Sequence, residues 1–280
     1  MSWRVRVVHT TGYVYDAPVT RSFNEARLTP RADSRQNVIL NRVEIAPAAR
    51  SYRYTDYWGT AVTAFDLHTP HTELEVTGSS VVETEPCAGP CHELDWDTLR
   101  AGRIADHFDE MLSPTAYVPR DRGLASVAKR FARECSPAKA VVVAAEWVHE
   151  TMEYLAGSTS VHTSAVEAYT ERKGVCQDYA HLTLVLLRSM GIPGRYVSGY
   201  LHPAPAAETG VTVAGQSHAW IEAWTGGWWG FDPTNNLAVN EQHVSVGVGR
   251  DYADVPPLKG IFSGGGSTDL EVVVEITRLA

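Results

Sequence analysis

Three blocks of this 280-residue chain each hold one residue able to do covalent chemistry: Cys176 in GVCQDYAHLTLVLLRSMGIP, His218 in SHAWIEAW and Asp232 in GWWGFDPTNN. A thiolate attacks a carbonyl, an imidazole takes and returns the proton, and a carboxylate orients the imidazole. Acting together, these side chains would attack an amide, protonate the departing amine and leave a thioester for water or a second amine to resolve. Gly174 ends one helical pattern, and the next runs from Cys176 to Met190, with Gly191 and Pro193 closing it. That places the thiol in the first turn of a helix, where unpaired N–H groups and the positive end of the dipole favour a thiolate and can receive an oxyanion.

The helix body, AHLTLVLL, is apolar nearly all round and must be covered by other elements. His218 and Asp232 lie on two strands joined around Thr225, Gly226 and Gly227. A three-residue loop pairs Trp224 with Trp228, sets His218 opposite Thr234 and leaves Asp232 diagonal to it on the same face. A two-residue loop sends the two to opposite faces. Strand alternation puts Trp220 and Trp224 on the His218 face, which makes Trp220 a candidate for lining a substrate groove. Asp178 reads as support for the helix N-terminus, and His181, five positions on from Cys176, as a packed residue pointing away from it. The eleven histidines include no HExxH and no close-spaced ligand pair, so neither a metal nor another cofactor is expected.

Short β-type runs, RVRVVHT, GYVYDAP, NVILNRVEI, TAVTAFDL and ELEVTGSSVVE, fill a β-rich region over residues 1–88. PCAGPC, with Cys87 and Cys91, reads as a Pro/Gly turn at a boundary. A helical connection over 89–122 leads to a core over 123–248, and residues 249–280 end in a strand, LEVVVEITRL, that is free to return to the N-terminal sheet. Within the core a helix is predicted from a capping Ser136 through Pro137 to Gly157, carrying Trp147 on its buried face and Tyr154 near its end. Ser164 and Glu167 form a capping box for a helix that Gly174 closes. The Ala-, Pro- and Gly-rich stretch 203–215 reads as a flexible segment suited to a lid.

With 44% hydrophobic residues the chain can bury a large core, and its net charge of −9 offers no counter-surface to nucleic acid or an anionic membrane. No run of eighteen apolar residues occurs and the first residues lack a signal-peptide pattern, so a soluble cytoplasmic protein with four free thiols is expected. Oligomeric state is not legible.

The three catalytic-type blocks, in this order, resemble the transglutaminase-like cysteine peptidase superfamily. HTTGYVYDAPV, NEARLTPR, Gln36, TPHTELEV and VGVGRDYADVPPLKGIFSGG are similar to its bacterial branch with a β-rich N-terminal domain. The resemblance implies an α+β fold: a papain-like core, its nucleophile helix packed on an antiparallel sheet, beside a sandwich-like domain. It implies Cys176 as nucleophile, His218 as base and acid, and Asp232 as orienting carboxylate. Animal members place a tryptophan upstream of the cysteine to stabilise the oxyanion; here the upstream aromatic residues are Trp147 and Tyr154. The Cys176 N–H with Tyr154 is the expected oxyanion site, with Gln177 as the competing donor. The expected activity is cysteine-dependent hydrolysis of a peptide, protein or small amide. The alternatives are transamidation of the protein-glutamine gamma-glutamyltransferase type and a catalytically idle binding module.

Overall fold

Every second residue of Trp3–Val19 is buried through Thr11, so this strand presents Val5, Val7, His9 and Thr11 to the interior and its charged residues to solvent. The computed structural model describes residues 2–86, 89–90, 93–204, 206 and 208–280; the Cys87 and Cys91 turn lies outside them. RVRVVHT and GYVYDAP, two runs in the sequence, form this one strand because Gly12 keeps ladder partners on both sides, Glu75 and Glu271.

Trp3–Val19, His71–Thr84 and Gln36–Ala46 make one antiparallel layer. Leu258–Ser263, Arg21–Ala26, Ala61–Leu67 and Ser51–Thr55 make the other. Leu28, Phe65, Leu67, Leu74 and Val76 fill the space between them. The final strand, Ser267–Arg278, lies between Trp3–Val19 and the start of Thr212–Trp224, so a single nine-stranded sheet runs from the N-terminal layer into the core. Gln36 ties the two parts again. Its amide accepts from the Ser245 N–H and donates to the Ser245 carbonyl, both at 2.8 Å, as a backbone ladder would.

The helix Cys176–Met190 is the centre of the core, buried along nearly its whole length. It is covered by Arg122–Glu134, Pro137–Thr151 and Ala165–Glu171 and backed by Thr212–Trp224 and Gly194–Leu201. Gly191, with φ 82°, ends it.

Three local expectations are corrected. Pro137–Thr151 stops well before Gly157, and Ser136 makes no side-chain cap bond. The chain turns extended so that Glu153–Tyr154 can pair in parallel with Lys173–Gly174. That pairing also requires Ala165–Glu171, which does carry the Ser164–Glu167 capping box, to end at Arg172 in the left-handed region rather than at Gly174. Within the stretch 203–215, the last four residues form strand. Residues 212–215 pair with 274–277, since Thr212 and Val213 supply β-branched residues that the neighbouring edge takes up. Among the described residues no helix is long and apolar enough to cross a membrane.

Candidate active site

Trp224 pairs with Trp228 and Ile221 with Phe231, the register of the three-residue loop. Beyond Ile221 the strand pairs on its other side with Gly194–Leu201, which sets His218 opposite Gly199. A Cβ at Gly199 would lie 2.2 Å from the Val244 carbonyl oxygen and 2.6 Å from Trp220 Cη2; only glycine admits this packing beside His218. His218 and Asp232 then meet, with Nε2 2.7 Å from Oδ2. Cys176 and His218 border the same cavity, and the thiol helps to hold the proton of that imidazole. Because Nε2 is committed to Asp232, Nδ1 is the nitrogen left for sulfur. Burial by itself would push His218 down, but the Asp232 and Cys176 hydrogen bonds and the charges of both partners outweigh it and hold the group up at about 10.

The carboxylate of Asp232 is fully buried and divides its work between its oxygens. Oδ1 accepts from the backbone N–H groups of Thr234 and Asn235, at 2.9 and 3.2 Å, and so organises the turn after the strand. Oδ2 faces three side chains: His218, the Asn235 amide at 2.8 Å and His243 at 3.3 Å. Burial opposes the charge, yet these bonds and the neighbouring imidazoles hold Asp232 far below the ordinary carboxylate range. His243 is itself fully buried, and burial lowers it despite Asp232. Its neutral form donates from Nε2 to Asp232 and accepts at Nδ1 from the Asn240 N–H, 3.3 Å away.

Sequence reasoning missed Asn235 and His243. Asn235 had a readable signal, its place in the DPTNN turn beside Asp232. His243 had none, because the strand His243–Gly249 reaches the site only by pairing with Gly194–Leu201.

At the helix start, Gly174 leaves room for Asp178: a Cβ there would lie 2.7 Å from Asp178 Cβ and Oδ2. Asp178 Oδ2 accepts from the Val175 N–H at 2.8 Å and the Thr159 hydroxyl at 2.7 Å. It serves as a cap whose charge burial disfavours. The Val175 carbonyl takes the N–H groups of Asp178 and Tyr179, whereas those of Cys176 and Gln177 are first-turn donors with no intrahelical acceptor. His181 sits between Tyr117 and Tyr196 and accepts the Tyr252 N–H at 3.2 Å. Burial pushes it down to about 3, consistent with packing and not proton transfer.

Tyr154 is half-exposed, and burial, then the charge of Cys176, raises it. Its place is set by the short parallel pairing in which Tyr154 faces Gly174. Gln177 is on the cavity wall, but its amide nitrogen donates to the Val161 carbonyl at 3.2 Å. Trp220 does not line the groove. It is fully buried among Val197, Val239 and Val248, with its ring edge-on to His243, because the strand His243–Gly249 and the Val239 segment close over it. Open space flanks the dyad on two sides, one reached past Cys176, Tyr196 and Tyr252, the other past Tyr154, Thr234 and Asn235.

A helix-borne cysteine, a histidine on the backing sheet and a buried carboxylate beyond it lie on a papain-like, transglutaminase-like fold. The chain belongs to the transglutaminase-like superfamily, a superfamily of cysteine-dependent enzymes. Residues 125–233 match the pattern described as the transglutaminase-like superfamily, and residues 5–83 that of the bacterial transglutaminase-like N-terminal region. An uncharacterized protein of Mycobacterium leprae is 63% identical over 99% of this chain and 100% of its own length. A protein-glutamine gamma-glutamyltransferase of Pseudomonas aeruginosa is 30% identical over 50% of this chain and 23% of its own length. The solved structure of a candidate cysteine protease from Cytophaga hutchinsonii superposes with a TM-score of 0.79 at 22% identity, covering 100% of this chain and 92% of that one, a likeness of fold.

Proposed function

We propose that the protein is a cysteine-dependent amide hydrolase working through Cys176, His218 and Asp232. The observation that carries this reading is one imidazole held by the Asp232 carboxylate at 2.7 Å and facing the same cavity as the Cys176 thiol. Cys176 Sγ adds to the amide carbon and forms the C–S bond. The C–N bond breaks as the His218 proton passes to the leaving amine. Water then adds to the acyl carbon, gives its proton to His218, and the C–S bond breaks to release the acid and restore the pair. The first-turn N–H of Cys176, with the Tyr154 hydroxyl from the cavity on the other side of His218, is the donor set proposed for the oxyanion.

A second reading, transamidation, is favoured by the likeness to the Pseudomonas gamma-glutamyltransferase. It uses the same thioester and lets a primary amine take the place of water.

Cys135 and Cys176 are both free and part-exposed, so one serves as internal control for the other. Iodoacetamide should label Cys176 faster than Cys135, and His218→Ala should remove the excess. Equal labelling of the two in the wild type would discard the nucleophile assignment. Product masses from a glutaminyl peptide, with and without a primary amine, then separate hydrolysis from transamidation.

A further inference from the structure

We infer that the cavity beside Cys176 receives an uncharged apolar or aromatic group next to the scissile amide, so that the substrate is an amide carrying such a group there. This rests on the reading above and narrows its substrate class. The cavity, about 280 Å³, is bounded by Cys176 and His218 on one side and by residues from both ends of the chain on the other. Tyr13 comes from the first strand, Leu270 and Val272 from the last, Tyr196 from the core and Tyr252 from the segment that follows it.

Among the described residues, no Asp, Glu, Lys or Arg contributes to the lining. Apart from the Cys176–His218 pair, whose charges are spent on each other and on Asp232, a carboxylate or ammonium entering it would give up water and find no counter-charge on the walls. The floor is neutral too. His9 spends Nδ1 on the Tyr200 hydroxyl and Nε2 on Thr11, each at 3.0 Å, and burial pushes it down to about 4. The mouth is apolar: Val161, Leu270 and Val272 are 50%, 53% and 48% exposed around it. Large aliphatic side chains left open to water at the rim of a site continuous with a nucleophile have a use when an apolar ligand covers them.

The walls are also held in place. Tyr252 is anchored by its N–H on His181, and the segment before it by Arg188, which donates to the carbonyls of Ser113, Gly194 and Arg250. The space on the other side of His218 is lined by Tyr154, Gln216, Thr234 and Asn235 and offers polar groups in its place.

The test uses N-phenyl iodoacetamide and its para-carboxylate and para-trimethylammonium analogues, which share one reactive head and differ in the charge carried into the cavity. Labelling at Cys176 is divided by labelling of Cys135 in the same chain, which cancels intrinsic reagent reactivity. The neutral reagent should be favoured by about tenfold or more over both charged ones, with a rate that saturates in concentration. Leu270→Asp and Val272→Lys alter exposed rim positions; the first should lower the preference for the neutral reagent over the cationic one, the second that over the anionic one. A normalised ratio near one, or ratios indifferent to both substitutions, would overturn the inference. Loss of the Cys176 excess over Cys135 with plain iodoacetamide would instead count against the nucleophile reading, so the two failures are distinct.

Discussion

His218 and His243 donate to the same oxygen of one carboxylate, Asp232 Oδ2, at 2.7 and 3.3 Å, yet they are driven in opposite directions. Burial lowers both; for His218 the Asp232 hydrogen bond, joined by the Cys176 thiol as a second partner, outweighs it, whereas for His243, fully buried with no second acidic partner, it does not. One imidazole carries the proton and the other stays neutral, since two imidazolium ions on one carboxylate would repel each other across a site with little water.

His243 is therefore a positioning residue for Asp232. His243→Ala should lower kcat by about ten- to a hundredfold with little change in KM, and His243→Gln, which keeps a donor, should recover part of it. Steady-state kinetics on both variants decide the matter. A change confined to thermal stability would reduce His243 to a packing role.

Stability should fall on the alkaline side. The folded-state pKa of His218, about 10, lies above the unfolded value near 6.5, so its contribution is complete below about pH 6.5 and is lost as pH rises through about 10. Urea midpoints measured across that window should converge for wild type and His218→Ala as pH rises. Parallel curves would contradict the assignment.

On the acid side the sign reverses. His9 titrates at about 4 in the fold, below its unfolded value, so its contribution is complete above about pH 6.5 and is lost as pH falls through about 4. The loss is on the order of 3 kcal/mol at full protonation. His9→Gln, which keeps polar atoms facing Tyr200 and Thr11, should flatten the acid limb of the same urea series.

Gly174→Ala places a Cβ against Asp178 and displaces the cap of the Val175 N–H. About 1–3 kcal/mol of stability should be lost, together with the Cys176 labelling excess, because the helix start carries the thiol. Calorimetry and the iodoacetamide comparison read the two effects separately. Asp178→Asn, which keeps an acceptor without adding bulk, should cost less of both.

Much of the site is local in origin, and that part was legible. Gly174 and Gly191 punctuate the chain around the apolar run, so the placement of Cys176 in a first helical turn follows from adjacent residues. Trp224, Trp228 and the Thr225–Gly227 loop restrict the hairpin to two registers, one of which brings His218 to Asp232. The β-rich start and the α+β division follow from hydrophobic period in the same way.

The tertiary structure decided what depends on strands far apart in sequence. The choice between the two hairpin registers, the arrival of His243 at Asp232 and the burial of Trp220 beneath the strand His243–Gly249 all come from sheet order, which no local pattern encodes. Tyr13 and Val272 reach the cavity beside Cys176 because the last strand inserts between the first strand and the His218 strand. Periodicity specifies which face of a strand is buried; only packing the sheets together determines which strand lies beside it, and with that which side chains share the nucleophile's surroundings.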